Sequence, residues 1–468
     1  MNALRVVMVL IAWSVLPAVS FAQSGTADEA WVNKRYQDAA DLYLQTYRKD
    51  TNNVQAIQRM AEANRMLRNF AESEGWYTVF ADKKPLNAEQ ALAFAQVLAH
   101  NKKYKSSRFW YGKFADLNPS DPRGELFEAA YLDMKPFYKD SLQWKLYYLS
   151  LNSEADEYAP MIMDTALFFT SNRIKSVFMK GVSAMTREPF TDVYVIGDRN
   201  EIVQIRANQS TDTTDVSGKR NRVNQGFAGS DNNTLYTFSN RFIASESPYF
   251  TEDSEIKKLP KVFNTKAHDG NTTFDPASGM LYLNTSQTAS GDTTRIKGAY
   301  YDYQKLRIVG IRQKDGVWEE RQNFPFNSKM YSTAHPALSE DGQVLYFISD
   351  MPGGYGGTDI YYCLKDGNYW TTPVNMGPLV NTVANEVFPF EIKGKLYFST
   401  TGWPGLGGLD LFVAPLSNHQ PEKQPVNLGY PLNSSSDDFG IVFEKDGASG
   451  GYFSSNRLGS DDIYRFEK

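Results

Sequence analysis

Four histidines, His100, His268, His335 and His419, are the only imidazoles in the chain, and no two stand close enough in sequence to act as a pair. H-E-x-x-H is absent, so zinc-hydrolase chemistry, with two imidazoles on one helix face and a general base between them, is not expected. The glycine-rich runs Gly353-Gly354-Tyr355-Gly356-Gly357 and Gly405-Leu406-Gly407-Gly408 each follow one strand pattern and lead into another. Without a following helix N-terminus they cannot cradle a phosphate, and they read as turns. Carboxylates are abundant, as in Asp437-Asp438 and Asp461-Asp462, but they occupy recurring positions. A general acid and base would need a cleft and split pKa values. The same oxygens could serve Ca²⁺, yet no dedicated loop motif accompanies them. The single cysteine, Cys363, lies in the apolar run 360–364 and reads as a small buried hydrophobe. No catalytic, cofactor or metal site is expected from these residues.

The bulk composition bounds the fold and the partners. Net charge is −5 and no basic stripe is visible, so nucleic acid is not expected as a partner. Hydrophobic residues make up 41% and aromatics 14%, which supplies packed cores and favours strands. Arg5, a short apolar stretch over 6–17 and Ser20-Phe21-Ala22 stand in the order of an export signal, placing residues 1–22 in a signal peptide. The later sequence holds no run of about 20 apolar residues, so no transmembrane helix is expected in the mature chain.

Two repeats organise the rest. Tyr36, Phe70 and Tyr104 are 34 apart, as are Tyr43, Tyr77 and Tyr111; Leu42, Trp76 and Trp110; and Ala39, Ser73 and Ser107. Thr51, Pro85 and Pro119 hold the matching turn position. Four columns at this period resemble the tetratricopeptide repeat of paired helices, over residues 23–135. Trp76 and Trp110 are mostly core in this reading, with partner binding as the alternative.

Beyond residue 136 a five-residue strand phrase recurs six times, ending at Ser171, Ser239, Thr285, Ser349, Thr400 and Ser455. Three copies run on into Asn172-Arg173, Asn240-Arg241 and Asn456-Arg457. Asn suits a tight turn, and Arg can fold back onto aromatics and carbonyls. A second phrase begins at Asp192, Asp359, Asp410 and Asp462, where the carboxylate can hold a turn as the next strand starts. These phrases, with Pro336-Ala337-Leu338-Ser339-Glu340-Asp341-Gly342, resemble TolB-like, WD-related propellers. The fold expected is therefore an α + β multidomain chain, with helical repeats followed by an all-β, six-bladed propeller over 136–468. Asn152-Ser153, Asn381-Thr382 and Asn433-Ser434 each precede an acidic residue by five, counted from the Asn, and the first copy follows 144–149 with no blade before it. Residues 142–149 are thus expected to close the ring as a strand of the last blade.

An export signal, tetratricopeptide-like repeats and a TolB-like propeller in this order resemble the PorE-type periplasmic proteins of the type IX secretion system. Those proteins usually carry a C-terminal OmpA-like domain that holds peptidoglycan, whereas this sequence ends at Lys468, so wall attachment is not expected. The resemblance implies a non-enzymatic scaffold at the periplasmic face of the outer membrane. Its implied partners are envelope proteins, such as an outer-membrane β-barrel or other secretion-machine subunits. Two alternatives are a soluble module binding peptide, glycan or peptidoglycan, and a propeller hydrolase. Cleavage after Ala22 is expected on export; N-terminal sequencing of the envelope protein should begin at Gln23, and retention of Met1 would refute it.

Overall fold

Aromatic residues at the 34-residue spacing open successive helices in the computed structural model, which describes residues 26–173, 182–183, 185–207, 255–286, 295–296, 299–300, 305–444 and 449–468. Seven helices come first: α1 (Ala27–Val32), α2 (Tyr36–Lys49), α3 (Val54–Met66), α4 (Phe70–Lys83), α5 (Ala88–His100), α6 (Tyr104–Leu117) and α7 (Arg123–Ala130). Tyr36, Phe70 and Tyr104 are the first residues of α2, α4 and α6. The small residues three positions on are fully buried. Ser73 and Ser107 donate their hydroxyls to the carbonyls of Ala61 and Ala95 at 2.8 and 2.7 Å, which only a short side chain at a close helix approach allows.

Among the described residues the rest is, besides a two-stranded pair of Arg295–Ile296 with Ala299–Tyr300, a ring of five sheets. Their inner strands are Glu157–Met163, Asp269–Asp275, Thr333–Leu338, Glu386–Ile392 and Asp438–Phe443. Each sheet runs antiparallel from the inner strand outwards. The expected six blades are therefore five. The strand phrase ending at Ser239, with Asn240 and Arg241, lies outside the described residues. In sequence it falls between the third and outer strands of blade one, Asp192–Ile196 and Ile256–Lys258. Blade five takes its outer strand from the start of the ring: Lys145–Leu149 pairs antiparallel with Asp462–Glu467, Tyr148 opposite Tyr464. Gln204–Arg206 then pairs on the outside of that strand. Residues 142–144 precede the strand.

One clasp recurs between neighbouring blades. The outer strands are short, and beside each one an asparagine side chain pairs with the second residue of the third strand. Asn152 accepts from the Ile463 N–H and donates to its carbonyl, both at 2.8 Å. Asn264 does the same with Val193, Asn327 with Ile308, Asn381 with Ile360 and Asn433 with Leu411, all between 2.7 and 3.0 Å. The chain then enters the next inner strand, whose first N–H donates to the preceding blade. Glu157 donates to the Asp461 carbonyl, Asp269 to Thr191, Thr333 to Leu306, Glu386 to Thr358 and Asp438 to Leu409.

Four of those entry residues are carboxylates with no exposure at all, Glu157, Asp269, Glu386 and Asp438. Three are neutralised by arginine: Arg173 on Glu157 at 2.9 Å, Arg321 on Asp269 at 3.0 Å, and Arg457 on Asp438. Each guanidinium also donates to the carbonyl just before the clasp asparagine, Leu151, Phe263 or Leu432. Arg173 lies over Phe169 and Tyr194, and Arg457 over Phe453 and Tyr464. Asn172 and Asn456 keep out of the left-handed region and hydrogen-bond the aspartate ahead of the entry acid, Asp156 or Asp437. Blade four differs. The Trp403 indole donates to the Val380 carbonyl at 3.4 Å, taking the arginine's place without its charge. Burial pushes the Glu386 pKa up to about 7 against hydrogen bonds from Thr382 and Thr400, with the Asp359 charge adding to the rise.

Two outcomes are expected. Asn433→Ala leaves the buried Leu411 N–H unpaired, while the Leu411 carbonyl keeps the Leu428 N–H, and should cost about 1–3 kcal/mol in urea denaturation; Asn327→Ala should cost less, because Asn327 is only half-buried and water can take its place. Glu386 keeps its proton in the folded chain at pH values where the unfolded chain, titrating near 4.5, has lost it. Its contribution to stability therefore falls as pH rises from about 4.5 to about 7, by roughly 3 kcal/mol in all. Glu386→Gln should lack that slope, so the variant gains on the parent between pH 4.5 and 8 in paired denaturation curves. Parallel curves would show that Glu386 titrates as an ordinary carboxylate.

Candidate functional site

Each inner strand carries a bulge with one left-handed residue: Ala159 (φ 51°), Asn271 (41°), His335 (48°), Phe388 (51°) and Gly440 (63°). For a residue with a Cβ this conformation costs about 1–2 kcal/mol. Cross-blade bonds to the freed amides offset it: Ala159 donates to Ser454 Oγ at 3.0 Å, Asn271 to Thr170 Oγ1 at 2.9 Å and Phe388 to His335 Nδ1 at 3.2 Å. His335 stacks on Phe388 with ring centroids 3.8 Å apart, and burial lowers its pKa to about 3. It is therefore a neutral acceptor and part of the packing.

Past the bulges the five strands surround a cavity of about 250 Å³ on the ring axis. Its walls are apolar where Pro160, Pro336 and Pro389 follow the left-handed residues, with Ile162 and Val442 beside them. Its rim is acidic, because the far ends of four inner strands bring Asp164, Asp275, Glu340 and Glu391 to it. Two of these carboxylates are shifted in opposite directions. Burial raises Glu391, and the charges of Glu340 and Asp341 add to it, against the N–H groups of Gly394 and Glu340. Burial would raise Asp275 as well, but Ser278, Lys365 and the Ala277 N–H hydrogen-bond it and hold it below the usual range. Lys365 lies 2.9 Å from Asp275. Such a pair can keep one proton to donate and one charge to accept or stabilise.

The residues singled out from sequence lie elsewhere. Asp359 accepts from the Tyr355 N–H at 2.7 Å, and Asp410 from the Leu406 N–H at 3.0 Å, so the glycine-rich runs are turns held by the next strand's first carboxylate. Asp192 is paired with Lys258, and Asp462 accepts from the Tyr148 hydroxyl at 3.2 Å. Trp76 and Trp110 are half-buried, Trp76 edge-on to Tyr47 at 4.8 Å and Trp110 against Phe94 at 5.0 Å. Cys363 is buried and its thiol is raised to about 12, so it stays protonated. Gly447-Ala448-Ser449-Gly450-Gly451 fits G-x-S-x-G, but it leads into the strand Gly450–Ser455 and not into a helix, so it is no nucleophile turn. Among the described residues no group of three or more His, Cys, Asp or Glu is placed to hold a metal ion, and no helix is long and apolar enough to cross a membrane. The rim carboxylates were missed because they stand at unequal distances from the entry residues and repeat no phrase.

No protein-family model matches the chain, and no curated protein does. Similar solved structures include the endo-arabinase from Bacteroides thetaiotaomicron, with a TM-score of 0.38 and 10% identity over 69% of this chain and 96% of that one. The alpha-L-arabinofuranosidase from Lactobacillus brevis has a TM-score of 0.32 and 7% identity over 68% and 90%. A puromycin-hydrolysing peptidase from Mycobacterium tuberculosis has a TM-score of 0.30 and 13% identity over 67% and 47%. These neighbours are hydrolases, most of those described being glycoside hydrolases. They correct the expectation of a non-enzymatic scaffold of PorE type, which is given up. Likeness of this size assigns no activity to this chain.

Proposed function

We propose that the protein is an exported, carboxylate-dependent hydrolase whose substrate class is a glycan, bound in the axial cavity of the propeller. The observation that carries the reading is the pair Glu391 and Asp275, which line one apolar-walled cavity with their pKa values pushed apart. Glu391 is the general acid that protonates the leaving oxygen. Asp275, kept ionised by Lys365, stabilises the developing positive charge at the sugar carbon or activates water. The proline faces exclude water and offer apolar contact to a sugar ring. The 34-residue spacing supports a tetratricopeptide kind of pairing for α2–α7 beside this ring.

The test is release of reducing ends from arabinan, galactan, xylan and peptidoglycan by the purified chain. One substrate should turn over, with Glu391→Gln lowering kcat about 100-fold or more and leaving KM near the parent value. The acid limb of the pH profile should follow Asp275, and the alkaline limb Glu391. Absence of turnover on every glycan, or full activity in Glu391→Gln, overturns the reading.

A further inference from the structure

A second cavity, of about 430 Å³, lies where the helices meet the loops of blades three to five. One wall is helical, with Arg65 near the end of α3, Gln96 and Val97 on α5, and Arg123 on α7; the facing wall includes Val383 and Thr401. Three arginines line this space: two form ion pairs, and the third, Arg65, lies by the Tyr36 and Tyr77 hydroxyls. Arg123 is paired with Asp121 at 2.6 Å, and Arg68 with Asp461 at 2.8 Å and Asp437 at 3.3 Å. Arg65 has no ion pair among the described residues, and its buried Nε has no hydrogen-bond partner. The neighbouring His100 adds no charge, since burial lowers its pKa to about 4. An uncompensated cation in a partly apolar cavity is costly, and a carboxylate is the group that satisfies a guanidinium with two parallel bonds.

We propose that this cleft is a binding site for a small carboxylate-bearing ligand with an apolar body, the carboxylate held by Arg65 and the body lying along Leu92, Val97 and Val383. The volume fits a molecule the size of an acylated amino acid. The carboxylate could be the end of a peptide or that of a uronic sugar, and two probe pairs separate these sources. In calorimetry and thermal melting of the full chain, N-acetyl-leucine is compared with N-acetyl-leucinamide, and glucuronate with glucuronamide. One acid should bind and raise Tm while its amide does not, and Arg65→Gln should weaken that acid about tenfold or more. Arg65→Lys, which keeps the charge, should recover part of the affinity and guards against loss through misfolding. Binding of neither acid, equal binding of acid and amide, or unchanged affinity in a folded Arg65→Gln overturns the site.

Discussion

The bidentate asparagine at each blade end is the contact on which the ring depends. The N–H of each third strand's second residue would otherwise be unpaired, and its carbonyl, which in four blades also accepts a backbone N–H, gains a second donor. Asn152, Asn264, Asn327, Asn381 and Asn433 bond both with one amide. Because that amide must reach back, the following chain is held against the blade it has just left. Its first residues then begin the next inner strand by donating to the same blade. One side chain thus terminates a sheet, joins it to its neighbour and sets where the next one starts.

Charge is added at that junction and varies from blade to blade. Where the entry residue is acidic and an arginine is in reach, the acid is fully buried, and the arginine over it also secures the carbonyl before the asparagine. Blade three has neither, since Thr333 stands at the entry and bonds Asn327. Blade four keeps the acid and swaps the cation for Trp403, so shape is preserved and the charge balance is not. The aspartates ahead of the entry residues do a second task. Asp437, at the seam of blades four and five, and Asp461, at the seam of blades five and one, both receive the half-exposed Arg68 from the turn between α3 and α4. The helices are therefore tied to the seams between blades and not to the blade faces.

This explains what was legible. The strand phrases were visible because they pack the same way in every blade, and residues 144–149 stood out as an aromatic strand pattern with no blade before it. The number of blades was not legible, because a phrase at 235–239 reads like the others although blade one is already supplied by other strands. Only three of the five asparagines were recognised. Asn264-Thr265 stands five residues before Asp269, so it fits the recognised phrase and was legible in principle, whereas Asn327 is followed six residues later by a threonine and not by an acid. Arg321 was invisible for a different reason. It reaches Asp269 from near the outer strand of its blade and not from an Asn-Arg step.

The same inner strands divide structure from chemistry along their length. At the entry, carboxylates are buried without exposure and saturated by hydroxyls, amides and arginines, so no substrate can reach them. The bulge then spends an unfavourable backbone conformation to turn each strand, and the cross-blade bonds hold it there. Past the bulge, Glu391 borders the axial cavity, and Asp275 reaches the same cavity while held across the next seam by Lys365. Burial raises the Glu391 pKa, and the charges of Glu340 and Asp341 add to the rise. On the same strand burial raises Glu386 to about 7 with no arginine beside it, whereas the entry acids of blades one, two and five each have one. The left-handed Phe388 lies between the two glutamates and separates the closed seam from the open axis.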